Sequence, residues 1–70
     1  MPIQLAPLNQ ELTIVKVLCN EKIKKHLESL GILATAKVVV VSSDRGSVVV
    51  QIKGGRLALD RDIYNKILVA

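Results

Sequence analysis

Aromatic side chains are almost missing from this chain: there is no Trp and no Phe, and Tyr64 stands alone. That lack counts against two modes of recognition common in small β domains. Single-stranded nucleic acid is held by stacking bases on aromatic platforms, and proline-rich peptides dock in grooves of aromatic rings. Cysteine is equally scarce. Cys19 has no second cysteine with which to form a disulfide, and no Cys-x-x-Cys or His-x-x-x-His spacing exists to hold zinc. A reducing, cytoplasmic compartment is therefore expected. Apolar runs such as Val38 to Val41 fall far short of the roughly 20 residues that a spanning helix needs, and Met1 to Leu5 lacks the basic stretch and apolar core of a secretion signal. Glycine is limited to Gly31, Gly46, Gly54 and Gly55, whose spacing matches neither phosphate-loop pattern, so each reads as a turn residue.

What remains is an aliphatic chain. Half of the 70 residues are apolar and 23% are charged, which argues for a compact body over disorder. Residues 1–70 make one domain, and a chain this short buries only about 60% of the surface its unfolded form exposes. Ten Lys and Arg against six Asp and Glu give a net charge of +4, a modest bias toward acidic partners.

Asn20 to Leu33 is the one stretch with a helical period and two marked ends. Asn20 is an N-cap, Glu21 sits where the helix dipole favours an anion, and Gly31 lies where helices turn left-handed to end. Ile23, Leu27 and Leu30 recur at i, i+4 and i+7 and form a single apolar stripe predicted to face the core. Ile32 and Leu33 are expected to return the chain to that core.

The flanking segments read as strands. Met1 to Gln10, with Pro2 and Pro7, suits an extended lead-in whose Leu5 and Leu8 cover an open end of a barrel. In Leu12 to Cys19 the apolar residues change parity, predicting a bulge or bend near Ile14 and Val15. Ala36 to Ser43 and Ser47 to Lys53 form a hairpin around Asp44-Arg45-Gly46, with Val48, Val50 and Ile52 facing the core. In the first arm Val38 and Val40 compete with Val39 and Val41 for the inside. Gly54-Gly55 turns into Arg56 to Leu59, Asp60 caps a single helical turn, and Ile67 to Val69 end the chain as a strand. The order predicts a mainly β fold: a small SH3-like antiparallel barrel of about five strands with one short helix inserted after the first, an open-faced α+β sheet being the runner-up.

The stock of catalytic groups is poor: one His, one Cys and six scattered carboxylates. Cys19 and His26 flank the strand-to-helix connection, but a half-buried thiol and a histidine at the margin of the apolar stripe explain them without catalysis or metal binding. The chain reads as neither an enzyme nor a cofactor carrier. Nucleic-acid binding through Lys37, Arg45, Lys53, Arg56 and Arg61 is the rival function, weakened because Asp44, Asp60 and Asp62 interrupt the basic residues. Two surfaces suggest protein contacts instead. The valine runs hold more apolar side chains than one face can hide, so Val39, Val41 and Val49 are expected to meet a partner or, weakly, a second copy. On the helix, Lys22 and Lys25, with His26 beside them, project away from the stripe and are free to meet an acidic partner, although Glu21 is also spaced to pair with Lys25.

Several blocks together resemble the FeoA family of small cytosolic proteins in bacterial ferrous iron uptake. They are Leu5-Ala6-Pro7-Leu8 before a strand, His26-Leu27-Glu28-Ser29-Leu30-Gly31-Ile32, the valine hairpin, and Gly55-Arg56-Leu57-Ala58-Leu59-Asp60-Arg61 followed by Ile67 and Val69. The resemblance implies an SH3-like barrel and a role alongside FeoB, a membrane permease with a cytosolic GTPase domain. It supplies no catalytic residues.

Overall fold

Two bulges decide which aliphatic side chains enter the core. In the computed structural model, which describes residues 1–70, β1 (Glu11–Val17) changes partner midway along its length. Glu11 to Thr13 pair with β2 (Lys37–Asp44), whereas Ile14 to Val17 pair with β5 (Ile67–Val69). The register shifts between Ile14 and Lys16, leaving Val15 as the extra residue, so Leu12, Ile14 and Val17 all point inward while Val15 is exposed. The parity change predicted this corner. A second shift, between Val40 and Ser42 in the pairing of β2 with β3 (Ser47–Ile52), leaves Val41 unpaired. Val38 and Val40 take the inside and Val39 and Val41 stay half-buried outside, which resolves the competition in this arm.

With β4 (Gly55–Asp60), the strands form one antiparallel sheet in the order β4-β3-β2-β1-β5. The fold is mainly β and SH3-like, but its end strands β4 and β5 do not pair, so the barrel is open along one side. Helix α1 (Glu21–Ser29) follows β1, and a single turn, α2 (Arg61–Tyr64), joins β4 to β5. The buried set is entirely apolar, from Ile3 through Ile32, Val48 and Val50 to Ile67 and Val69, so no charge in this thin core needs a buried partner.

The lead-in departs from expectation. Ile3–Leu5 forms one 3-10 turn, closed by Leu5 N–H on the Pro2 carbonyl and Ala6 N–H on that of Ile3, each at 3.1 Å. Three residues per turn bring Ile3 and Ala6 to the same side, and both are buried. Leu5 is consequently turned outward, 71% exposed, and Leu8 is exposed too, so neither covers the barrel end as expected.

The end of α1 also corrects the sequence reading. Gly31 N–H donates to Glu28 O at 3.0 Å and Ile32 N–H to Leu27 O at 2.9 Å, with Gly31 at φ +99°. This is a Schellman turn, and it packs buried Ile32 back onto buried Leu27. Leu33, one residue on, points away and is exposed. Leu30 sits at the C-cap, 38% exposed and outside the core to which the stripe assigned it.

Candidate docking groove

The open side of the barrel is where the exposed apolar surface of α1 gathers. The helix is held at its start by Asn20, whose Oδ1 accepts the Ile23 N–H at 3.0 Å, and Glu21 occupies the first turn. Across the gap lies β4, the last strand of the sheet. Asp60 ends that strand and caps α2, its Oδ1 accepting the Ile63 N–H at 3.1 Å, which sets Ile63 beside the strand.

Between α1, β4 and α2 runs a groove of about 430 Å³. Its walls are Ile23, Leu27 and Leu30 on the helix and Leu57, Ala58 and Leu59 on the strand, with Ile63 at the α2 end. Lys22 and His26 stand on the helix rim, and Asp60 is the one acidic residue in the lining. A second groove, of about 530 Å³, lies near the Schellman turn. Leu33, Val39 and Ile52 supply its apolar surface, and Glu11, Lys37 and Lys53 its charges.

The predicted contact residues therefore divide. Lys22 and His26 border the α1/β4 groove, while Lys25 is exposed on α1 but lines neither groove. Val39 lines the second groove. Val41 lies at the β2 bulge, and Val49 sits opposite Ser42 on one side and Ala58 on the other, half-buried in each case. Sequence reasoning missed the groove's apolar wall because it assigned Leu30 to the core and read Leu57 to Leu59 only as a strand.

Cys19 is half-buried against the core, His26 is exposed, and no group of three or more His, Cys, Asp or Glu side chains converges as a metal site. No helix is long and apolar enough to cross a membrane.

Comparison with known proteins agrees with the fold. The family model described as FeoA domain matches residues 1–70. A crystal structure described as an iron uptake regulatory protein, FeoA, superposes with a TM-score of 0.86 at 20% identity, covering 99% of this chain and 93% of that one. The solution structure of a FeoA protein from Chlorobium tepidum gives 0.82 at 20% identity, over 99% of this chain and 68% of the other. A FeoA-like protein from Clostridium acetobutylicum gives 0.79 at 12% identity, over 100% and 84%. A comparison with curated protein sequences yields no match.

Proposed function

We propose that this chain, which belongs to the FeoA family, is a non-enzymatic accessory protein of ferrous iron uptake that binds the cytosolic part of a FeoB-type permease. The observation that carries the reading is the family match across residues 1–70. Family membership supports the role in iron uptake, and the FeoB-type permease is the partner proposed for that role. The exposed apolar surface suits a binding module, acting in the cytoplasm where the permease's GTPase domain resides.

Two sets of residues are proposed to contribute. Lys22 and Lys25 offer positive charge to an acidic patch with His26 beside them, and Val39, Val41 and Val49 offer apolar area on the outer face of the hairpin. Charge steering acts chiefly on the association rate and weakens as salt rises. The test is a pull-down of the permease's purified cytosolic domain with the full chain. Retention is expected, with slower association after reversing Lys22 and Lys25 to Glu. Absence of retention at low salt would contradict the reading, as would a salt-sensitive gel shift with unrelated RNA or DNA, the signature of a backbone binder.

A further inference from the structure

The outward amides of β4 are left without a main-chain partner by the register of the β3–β4 hairpin. The β3–β4 hairpin closes with Ile52 opposite Gly55, and its register runs unbroken to Ser47 opposite Asp60. Residues flanking a two-residue loop exchange main-chain bonds, and bonded pairs then alternate along an antiparallel ladder. Gly55, Leu57 and Leu59 thus bond to β3, while Arg56, Ala58 and Asp60 turn their N–H groups outward. None of the main-chain bonds made by turns, loops and caps involves those three amides. This free edge borders the groove below α1.

We propose that the groove receives an extended segment of a partner protein, which adds to β4 as a further strand and carries apolar side chains alternating with carboxylates. The inference rests on the permease reading above and places the segment on the permease's cytosolic side. Three features fix its chemistry. The unpaired donors recur at every second residue, the spacing that only an extended main chain matches. Leu30, Leu57 and Ile63 present apolar surface that neither the core nor α1 covers fully, which calls for apolar side chains on the facing side. Lys22 and His26 on the rim call for carboxylates, because the one acid nearby, Asp60, already has an oxygen engaged by the Ile63 amide. From Leu57 to Asp60 the strand spans about 10 Å, room for three or four residues of added chain at ~3.3 Å each.

A second copy is the competing occupant. Antiparallel pairing of two β4 strands about Ala58 would set Arg56 opposite the other copy's Asp60. It would also bring a second α1 against an edge that the first α1 already flanks, so a single extended segment fits better.

The test uses the isotope-labelled full chain, titrated with the permease's cytosolic domain and, separately, with an octapeptide alternating glutamate and valine. The readout is amide exchange at Arg56, Ala58 and Asp60. Both ligands should protect these amides. Ala58→Pro removes an outward donor and no bond to β3, so it should fold and yet bind both ligands at least about tenfold more weakly. Should that variant fail to fold, Leu30→Glu, which sets a carboxylate in the groove wall, must weaken binding in the same direction. Domain binding unaffected by either variant overturns the groove and leaves the permease reading standing. Protection by the peptide with no binding of the domain removes the permease as the source and overturns the proposal together with that reading. Concentration-dependent dimerisation lost in Ala58→Pro would give the edge to a second copy and also overturn it.

Discussion

At β5 the chain covers its own sheet edge, and at β4 it does not. The Val69 N–H donates to the Met1 carbonyl at 2.7 Å, the Met1 nitrogen donates to Val69 O at 2.6 Å, and Pro2 bridges to Leu68. Ile3, fully buried, holds this cover in place. At β4 the outward amides of Arg56, Ala58 and Asp60 take part in none of the bonds of turns, loops and caps, and Ala58 and Asp60 line the groove below α1. Exposed strand edges invite pairing with other chains, and proteins generally blunt them. A sheet that closes one edge and leaves the other beside an apolar groove keeps a single place for an added strand.

The contrast can be broken first at the covered edge. Ile3→Ala removes a fully buried side chain from the residues that cover β5, so it should cost about 2–5 kcal/mol, measured by urea unfolding. A loss below about 0.5 kcal/mol, within the range of ordinary surface changes, would show that the N-terminal cover adds little.

Next in size is the turn that sets Leu30 on the groove wall. Gly31→Val places a β-branched residue at φ +99°, with its Cβ 3.4 Å from Ile52 Cδ1. The left-handed backbone alone costs about 1–2 kcal/mol for an L-residue, and branching at Cβ raises that. In a domain of this size each kcal/mol lowers the thermal midpoint by about 4–8 °C, so an unchanged midpoint would rule out the Schellman end.

A smaller effect of opposite sign is expected three residues after the turn's closing residue, Ile32. Thr35 sits at φ +76°, strained for a β-branched residue, while its N–H bonds to Ile14 O at 2.7 Å. Thr35→Gly relieves about 1–2 kcal/mol of strain but loosens the unfolded chain by about 0.4–1 kcal/mol, leaving a net gain on the order of 0.5 kcal/mol. Thermal unfolding would show a rise of a few degrees, and a fall would mean that the threonine side chain stabilises the turn. Smallest of all, Ala58→Pro at the open edge should shift stability by less than about 0.5 kcal/mol, because the lost N–H faces outward. A large loss would show that this amide bonds to β3 and that the register argument is wrong.

Much of the fold was legible because local chemistry and global shape agree. Asn20 and Gly31 mark the two ends of α1, Asp60 caps the single turn, and the parity change at Ile14 and Val15 is the bulge itself. The misreadings share a cause, in that apolar residues were assigned inward by pattern alone. Leu30 follows the stripe of Ile23 and Leu27 yet lies at the C-cap, where the helix ends and the open side of the barrel leaves it uncovered. Leu5 and Leu8 satisfy an apolar pattern, but a 3-10 turn gives the inward positions to Ile3 and Ala6. The left-handed Thr35 could not be foreseen from its residue type, which disfavours that conformation. The groove was invisible for a different reason. It depends on which strand ends the sheet, and strand order is a property of the whole chain.

The central claim is that the β4 edge is open in the free chain and occupied in the complex. Amide hydrogen exchange at Ala58 and Val69, with and without the permease's cytosolic domain, tests it most directly. In the free chain Ala58 should exchange rapidly and Val69 slowly, and addition of the domain should slow Ala58 many-fold while leaving Val69 unchanged. An Ala58 amide already protected in the free chain, or one still exchanging rapidly when the domain is bound, would contradict the account.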